Sequence, residues 1–220
     1  MDDLAFDAVI LAGGRASRLG GTPKPGLRTD GGSLLDRALG AAEGARRVAV
    51  VGPEDLRPGL ADRVVTTRED PPFGGPVAGL AAGLAALPDA GAAPWVLVLA
   101  VDVPRAAAAV PLLLRAVAQE PQAPPGAHLT SAGRAQWLVG LYRRGVLVER
   151  LNALRAETGG VHGASVRGLV GGLAFLEVPD PGGLADDVDT WADAARLGVA
   201  APDAAPGAAS DTASDTVEDA

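Results

Sequence analysis

The sequence predicts an α/β fold, a three-layer α/β/α sandwich around a mostly parallel sheet. Short apolar runs alternate with helical patterns along the chain, and this alternation is typical of sheets whose strands are connected through helices. The runs at residues 5–11 and 95–101 are strongly apolar, which indicates buried strands. Because such sheets bind ligands beyond the carboxyl ends of their strands, we expect the binding site in the loops that follow Leu11, Val51, Thr66 and Val101.

The first half of the chain predicts three strands and two helices. The apolar runs that predict strands lie at residues 5–11, 48–51 and 63–66. A glycine-rich loop over residues 12–32 follows the first strand. Ser33 and Asp36 form a capping-box pattern that opens a helix over residues 34–43. A second helix, made of small residues, is predicted over residues 77–87.

The second half predicts four strands and three helices. The strands lie at residues 95–101, 127–130, 136–142 and 173–178. The direction of the second and third of these strands, parallel or antiparallel to the others, is left open by the sequence. The helices lie at residues 107–118, with Pro111 in the first turns, at 146–155, and between Thr190 and Gly198. Thr190 and Asp193 form the capping box that opens the last helix.

The composition disfavours nucleic-acid and membrane partners. The chain has a net charge of -8, the wrong sign for nucleic acid, and no run of eighteen apolar residues. Five of its acidic residues fall in the last twenty positions, where the composition cannot bury a core. We therefore expect one folded domain at residues 1–199 and a disordered acidic tail at 200–220. The absence of cysteine and the acidic N-terminus favour a cytoplasmic protein.

The segment 11–24 carries the strongest functional signal. It reads Leu-Ala-Gly-Gly-Arg-Ala-Ser-Arg-Leu-Gly-Gly-Thr-Pro-Lys. Gly13 and Gly14 follow a buried strand directly, and glycine lets the backbone approach a ligand and present its N–H groups to phosphate oxygens. Arg18 and Lys24, which is the chain's one lysine, add positive charge that suits a triphosphate. The alternative is a loop whose glycines only turn the chain.

Asp102 is a candidate metal ligand because it follows the predicted strand 95–101 directly. Mg²⁺ prefers one or two carboxylates together with phosphate oxygens and water. Aspartate is also a good N-cap for the helix that follows, so position alone supports both roles equally. His128 and His162 have no acidic or histidine neighbours in the sequence, and we expect both to be structural.

The segment 11–24 resembles the signature L-A-G-G-x-S/A-x-R-M/L-G, followed by lysine, of nucleotidyltransferases with a glycosyltransferase-A-like fold. It lacks the Gly-Lys-Ser/Thr ending of a P-loop and the G-x-G-x-x-G spacing of dinucleotide-binding folds. Within that superfamily the chain most resembles the molybdenum cofactor guanylyltransferases, which implies a Rossmann-like sheet of the nucleotide-diphospho-sugar transferase type. The resemblance assigns nucleotide binding or catalysis to these positions of the loop: Leu11, Ala12, Gly13, Gly14, Arg18 and Lys24.

Three further segments are similar to the family. The first resembles the family segment E-D…G-P-L-A-G and consists of Glu69-Asp70 and Gly75-Pro76-Val77-Ala78-Gly79. The resemblance implies nucleotide contacts at Asp70 and Gly75. The alternative for Asp70 is a residue of a turn. Asp102-Val103-Pro104 matches the D-x-P metal aspartate, a catalytic and nucleotide-binding position. The third segment, residues 187–193, resembles the family string N-x-N/D-T-P-E-D. Its first position, which can be a second metal ligand in relatives, matches Asp187. Helix capping is the alternative for Asp187, and Asp189 is expected to be structural.

The sequence departs from the family pattern at three positions. Pro23 stands where the family has an aspartate before the lysine. Gly52 replaces a nucleotide-binding asparagine, so a contact there has to come from the backbone. The stretch 133–138, Gly-Arg-Ala-Gln-Trp-Leu, resembles G-R-x-Q-P-L with Trp137 in place of proline. Arg134 in that stretch is a candidate for acceptor binding, and a solvated strand end is the alternative.

Taken together, the resemblance implies transfer of GMP from GTP to molybdopterin with Mg²⁺ as the cofactor and pyrophosphate as the second product. Gly13-Gly14 and the Gly-Pro-Val-Ala-Gly stretch accompany guanylyl transfer in the family, whereas the related cytidylyltransferases tend to contain L-A-A-G. We expect a monomer or weak oligomer that contacts molybdenum cofactor enzymes. The alternatives are a cytidylyltransferase, another nucleotidyltransferase acting on a different phosphorylated acceptor, or a non-catalytic nucleotide-binding module.

Overall fold

A seven-stranded sheet forms the centre of the molecule. The computed structural model describes residues 4–14, 16–53, 56 and 62–202. Within them the strands are β1 (Phe6–Leu11), β2 (Arg28–Thr29), β3 (Gly32–Ser33), β4 (Val48–Val51), β5 (Val64–Thr67), β6 (Trp95–Ala100), β7 (Gly126–Ser131), β8 (Arg134–Arg143) and β9 (Leu176–Pro179). The helices are α1 (Leu34–Ala41), α2 (Pro76–Ala86), α3 (Ala106–Gln119), α4 (Arg144–Thr158), α5 (Val166–Val170) and α6 (Trp191–Leu197).

The sheet has the strand order β5-β4-β1-β6-β8-β7-β9 and is mostly parallel. Strand β8 runs antiparallel to both of its neighbours, β6 and β7, and the remaining pairs are parallel. The chain leaves β1 for β4 and β5 on one side and then returns to β6 on the other. The carboxyl ends of β1 and β6 therefore form the switch point of the sheet, where α/β proteins bind their ligands.

Helices cover both faces of the sheet, which confirms the predicted three-layer α/β/α sandwich. Helices α1, α3 and α6 pack on one face around Ile10, Leu97 and Leu99, all fully buried. Helices α2, α4 and α5 pack on the other face around Val9 and Val96, since successive residues of a strand point to opposite sides. None of the helices among the described residues is long and apolar enough to cross a membrane.

Both predicted capping boxes are present. The Ser33 hydroxyl accepts a hydrogen bond from the Asp36 N–H at 3.1 Å, and the Asp36 carboxylate accepts one from the Ser33 N–H at 2.8 Å. Thr190 and Asp193 make the same pair of bonds at the start of α6, which ends at Gly198 in a left-handed conformation. The caps satisfy N–H groups that a helix start leaves free.

Three expectations about local structure were wrong. The segment 12–32 is more than a loop, because it contains two short 3-10 helices, Ser17–Leu19 and Lys24–Gly26, and one strand of the β2–β3 hairpin. The last strand begins at Leu176 rather than residue 173, because the Leu173 N–H is bonded to the carbonyl of Val170 at the end of α5 and Leu176 is the first residue that pairs with β7. Helix α5 was not predicted; it is five residues long and carries its signal in the N-cap Ser165.

The start of the predicted tail is attached to the domain. Ala200 pairs with Arg28 through two backbone hydrogen bonds of 2.7 and 2.9 Å. Residues 203–220, which make up most of the predicted acidic tail, lie outside the described residues. The domain boundary at residue 199 stays a prediction.

The glycines of α2 allow this helix to lie close to the sheet. A Cβ atom at Gly83 would come within 2.5 Å of the Val9 side chain and 3.0 Å of Val51. Both neighbours are β-branched and buried, so they have little freedom to move aside. We expect Gly83→Ala to lower the free energy of unfolding by about 1–3 kcal/mol, measured by urea denaturation.

Gly40 in α1 provides the matched control, because a Cβ there meets no atom within 4 Å. Gly40→Ala should raise the free energy of unfolding by about 0.5–1 kcal/mol, since alanine loses less conformational freedom than glycine in a helix. Equal effects of the two substitutions would contradict the close packing of α2 on β1 and β4.

Candidate active site

The glycine loop begins at the switch point of the sheet. The carbonyl of Leu11 accepts a hydrogen bond from Val101 at 3.0 Å, and the N–H of Ala12 donates to Val51 at 2.7 Å. Gly13 and Gly14 come next and line a cavity, and Gly14 has a φ of 138° that side chains disfavour. No acceptor among the described residues bonds their N–H groups. These two N–H groups are thus available to phosphate oxygens.

Lys24 joins two carboxylates that are far apart in the sequence. Its Nζ lies 2.6 Å from Oδ2 of Asp102 and 2.6 Å from Oδ1 of Asp189. The first carboxylate follows β6 and the second precedes α6. Arg18 reaches the other oxygen of Asp189 at 3.5 Å, from a largely exposed position. The glycine loop is therefore connected to two further segments of the chain by charge-assisted hydrogen bonds.

The electrostatics of the site favour a charged lysine. Burial acts to lower the pKa of Lys24, but the charges and hydrogen bonds of Asp102 and Asp189 outweigh burial, and the net shift is upward from 10.5. Lys24 contributes this stabilisation fully below its ordinary pKa and loses it only as the pH rises through the raised value. At neutral pH the interaction is therefore at full strength.

A third carboxylate, that of Asp187, stands next to the pair bound by Lys24. One oxygen from each of Asp102, Asp187 and Asp189 lies within 4.8 Å of the others. Partial desolvation raises the pKa of Asp187, and the charges of Asp102 and Asp189 raise it further. Such a cluster attracts cations, and its carboxylate oxygens are of the type that hard divalent metals prefer.

Local bonds hold the segment that carries Asp187 and Asp189. The N–H of Val188, between them, donates to the carbonyl of Asp102 at 2.9 Å. Upstream, the Asp180 carboxylate accepts backbone N–H groups of Leu184 at 2.8 Å and Ala185 at 3.0 Å. The segment is thus fixed at both ends, by this turn and by the cap of α6, and its two acidic side chains face the glycine loop.

A single cavity of about 720 Å³ runs from the glycine loop to β8. Its volume lies within the usual range for small-molecule sites, about 300–1,000 Å³. One side is formed by the ends of β1 and β4 and the start of α2: Leu11, Gly13, Gly14, Val51, Glu69, Phe73, Gly75, Pro76 and Gly79. The other side is formed by the end of β6, the start of β8 and α5: Asp102, Gln136, Trp137, Leu138, Ser165 and Arg167.

Most of the site residues expected from the sequence meet at this cavity. Those that line it are Leu11, Gly13, Gly14, Gly75, Asp102 and Asp187, and Lys24 and Arg18 bind the acidic cluster. Ala12 is buried behind the loop. The N–H of Gly52 is occupied by a hydrogen bond to Thr67, at 2.9 Å. Asp70 and Arg134 are exposed and do not line the cavity, so their binding roles stay predictions.

Three residues at or beside the cavity were not predicted as site residues from the sequence. Glu69, next to the expected Asp70, faces the cavity, and its carboxylate accepts the Phe73 N–H at 3.1 Å. Asp189, expected to be structural, binds Lys24 directly. Arg167 lies on the unpredicted helix α5. The sequence signal for Asp189 is its spacing of two from Asp187, which matches the third position of the family string.

The two histidines, both expected to be structural, have different surroundings. His128 is buried, and its Nδ1 lies 2.9 Å from the carbonyl of Leu129. Its ring packs against that of Trp137 with centroids 4.2 Å apart. His162 is exposed, close to Gly74. Neither lies in the carboxylate cluster around Lys24.

Open backbone N–H groups, a lysine and a carboxylate cluster at the switch point of a mostly parallel sheet are typical of α/β proteins that bind phosphorylated ligands. Comparison with known families identifies this chain further. The MobA-like NTP transferase domain matches residues 8–169, and the chain belongs to this family of nucleotidyltransferases. No curated protein matches the chain.

Solved structures of similar fold include mycobacterial and more distant proteins. Rv0371c from Mycobacterium tuberculosis H37Rv is 26% identical with a TM-score of 0.66, over 89% of this chain and 98% of that one. The 2-C-methyl-D-erythritol 4-phosphate cytidylyltransferase from Thermus thermophilus is 20% identical with a TM-score of 0.63, over 87% and 96%. Molybdopterin-guanine dinucleotide biosynthesis protein A from Archaeoglobus fulgidus is 15% identical with a TM-score of 0.62, over 87% and 96%.

Removal of the lysine should leave the carboxylates in repulsion. We expect Lys24→Ala to lower the free energy of unfolding by about 2 kcal/mol at pH 7, because Asp102 and Asp189 each lose a charged hydrogen bond. The difference from the unsubstituted protein should be constant below the ordinary pKa of Lys24 and shrink as the pH rises through its raised value. Chemical denaturation at several pH values measures both effects.

Arg18→Ala is the control, since Arg18 bonds the same Asp189 from a side chain that is 74% exposed. Exposed ion pairs contribute about 1 kcal/mol or less, so this variant should be nearly as stable as the parent protein. A loss for Lys24→Ala no larger than that for Arg18→Ala, or one independent of pH, would contradict the electrostatic role of Lys24.

Proposed function

We propose that the protein transfers GMP from GTP to molybdopterin, with Mg²⁺ as its cofactor. One observation carries the proposal: the glycine loop, the Lys24 partner Asp102 with Asp187, and the aromatic side chain of Trp137 on β8 share one cavity. The cavity therefore has a phosphate-binding side and a separate side for a second substrate. A transferase that joins two substrates needs both sides, whereas a module that only binds nucleotide needs the first.

The transfer needs no covalent enzyme intermediate. A phosphate oxygen of the acceptor attacks the α-phosphorus of GTP, the new P–O bond forms in line with the bond to the β-phosphate, and pyrophosphate leaves with the electrons of that bond. Gly13 and Gly14 would hold phosphate oxygens through their N–H groups. Lys24 would stabilise the charge that develops on the attacking and leaving oxygens. The enzyme works by positioning and electrostatics.

The carboxylates fit a magnesium ion. Asp102 and Asp187 would supply ligand oxygens, and Mg²⁺ typically takes its other ligands from phosphates and water. Bound there, the ion would neutralise charge on the triphosphate. The spacing of three carboxylate oxygens within 4.8 Å supports this assignment. Asp189 belongs to the same cluster and would keep Lys24 close to the phosphates.

Glu69 supports the preference for guanine. Glu69 lines the cavity, and one of its carboxylate oxygens accepts the Phe73 N–H. The other oxygen can accept the N–H groups on the pairing edge of guanine, which carries two adjacent donors. Uracil offers one such donor, so a carboxylate selects guanine against it.

The main alternative is transfer of another nucleotide to a different phosphorylated acceptor. The similar structures include a cytidylyltransferase for 2-C-methyl-D-erythritol 4-phosphate as well as a molybdopterin-guanine dinucleotide biosynthesis protein. The Gly13-Gly14 pair and the resemblance described above favour guanylyl transfer. The cytosine amino group is also a donor that Glu69 can bind, so base preference has to be measured.

Nucleotide preference is the first test. With Mg²⁺ and molybdopterin, we expect pyrophosphate release with GTP at least about tenfold faster than with CTP, ATP or UTP, since an unpaired buried polar group costs about 1–3 kcal/mol. A coupled pyrophosphate assay measures the four rates. Release with CTP alone would overturn the base assignment, and nucleotide binding without release would favour the non-catalytic module.

A pair of neighbouring carboxylates provides the control for the base contact. Glu69→Gln should reduce the preference for GTP over UTP, whereas Asp70→Asn should leave it unchanged because Asp70 is exposed outside the cavity. The opposite result would return the base contact to Asp70, as the family resemblance implies.

Asp102 should be indispensable for turnover. We expect Asp102→Asn to lower kcat by about 10³ or more with the fold intact, because a metal ligand and a partner of Lys24 are both weakened. Circular dichroism checks the fold, and a magnesium titration of the rate checks the metal role. Asp30→Asn, on an exposed turn, is the control and should behave as the parent. A normal magnesium dependence in Asp102→Asn would refute the assignment.

A further inference from the structure

Strand β8 contains an irregularity where it borders the cavity. His128 of β7 pairs with Gly140, but the next residue, Leu129, pairs with Gln136. Residues 137–139 therefore have no partners on β7 and form an enlarged bulge. All three residues line the cavity. Bulges bend a strand and redirect its side chains, and they are common beside active sites.

Specific contacts hold this bulge in place. The hydroxyl of Tyr142 donates a hydrogen bond of 2.6 Å to the carbonyl of Trp137. The Tyr142 ring lies over Gly140, where an added Cβ would come within 2.6–2.7 Å of three of its atoms. Burial raises the pKa of Tyr142, so its hydroxyl remains a donor at any physiological pH. The glycine thus makes room for the ring that fixes the bulge.

The side chain of Trp137 is held in place by two neighbouring aromatic rings. Its ring packs on the buried His128, with centroids 4.2 Å apart, and contacts the edge of Phe175 at 5.9 Å. The residue is half-buried and lines the cavity. A large aromatic ring in a fixed position offers a surface on which a planar ligand can stack without further ordering of the protein.

Arg167 contributes a further positive charge to the lining of the cavity. It lies on α5 and is exposed, and no carboxylate among the described residues forms an ion pair with it. The cations beside the glycine loop, Lys24 and Arg18, are both paired with carboxylates of the acidic cluster. A guanidinium at the cavity without an ion pair suits an anionic group of the second substrate.

We propose that Trp137 and Arg167 form the acceptor subsite, which takes a planar heteroaromatic ring on the Trp137 face and an anionic group at Arg167. The inference rests on the proposed function for the neighbouring nucleotide site and names the class of acceptor that the second side receives. It replaces Arg134, at the exposed end of β8, as the cation that meets the acceptor. Tyr142 is a positioning residue, since it acts through the backbone of Trp137.

The ring preference is tested by calorimetric binding of two stable probes, neopterin monophosphate and ribose 5-phosphate. Both carry a phosphomonoester, but only the first has a planar heteroaromatic ring. We expect the parent protein to bind the ring-bearing probe about tenfold more tightly, a value typical of stacking on an aromatic side chain. Equal affinity for the two probes would overturn the proposal whatever the variants show.

Variants assign this preference to Trp137. Trp137→Leu should remove most of the tenfold preference, and Trp137→Phe should retain much of it because a ring remains. Trp191→Leu is the matched control, as Trp191 is a tryptophan 43% exposed on α6 outside the cavity. An unchanged preference in Trp137→Leu, or a loss of equal size in Trp191→Leu, would contradict the role of Trp137.

A second comparison tests Arg167 and Tyr142. The parent should prefer neopterin monophosphate to neopterin, and Arg167→Gln should reduce that preference about tenfold while the binding of neopterin stays constant. Tyr142→Phe should weaken the ring preference and leave the phosphate preference intact, a pattern that general destabilisation would not produce. A phosphate preference unchanged in Arg167→Gln would refute its assignment.

The outcome for the acceptor subsite is separable from that for guanylyl transfer. GTP binding by the Trp137 and Arg167 variants should match the parent, because the nucleotide side of the cavity is unaltered. Ring preference without pyrophosphate release would support the subsite and contradict the proposed function. Pyrophosphate release from GTP with molybdopterin at the parent rate in Trp137→Leu would support the function and contradict the subsite.

Discussion

The hydrogen bonds from Lys24 to Asp102 and Asp189 are the interaction on which the site depends. They join residues 78 and 165 positions apart in the sequence. Three carboxylates with oxygens within 4.8 Å of one another repel, and one ammonium group at 2.6 Å from an oxygen of Asp102 and of Asp189 offsets much of that repulsion. Without the lysine, the end of β6 and the segment before α6 have an electrostatic reason to separate.

The sheet determines which residues reach that cation. Leu11 pairs with Ala100 at the end of β1 and β6, so the glycine loop and Asp102 emerge side by side. The antiparallel strand β8 then brings its beginning to the same edge, since Leu99 pairs with Val139. A parallel strand in that position would bring its end there, and the bulge at Trp137 would lie elsewhere. The one antiparallel strand among those described in the central sheet therefore supplies the second wall of the cavity.

The sequence predicted what depends on local patterns and missed what depends on pairing. Buried strands, both capping boxes and the glycine loop are predictable because each depends on residues close together in the sequence. Asp102 is identifiable because it directly follows a predicted apolar strand. Asp189 was assigned a structural role because its partner Lys24 lies 165 residues away. Glu69 and Asp70 are adjacent acids, and only the course of the backbone decides which one faces the cavity. In the sequence, Trp137 is only a replacement for the proline of a family motif. The register shift between β7 and β8 is what places it at the cavity.

The two walls of the cavity differ in how they achieve specificity. The nucleotide side is built from glycines, backbone N–H groups and a helix pressed close to the sheet, as the contacts around Gly79 and Gly83 require. The glycines and backbone N–H groups suit the phosphates that all nucleotides share, because backbone groups are the same in every sequence, whereas the proposed base contact comes from the Glu69 side chain. The opposite side is built from side chains, held by a bulge that Gly140 and Tyr142 maintain. We expect substitutions there to change this surface without altering the glycine loop, so under the proposed function the choice of acceptor depends on these side chains.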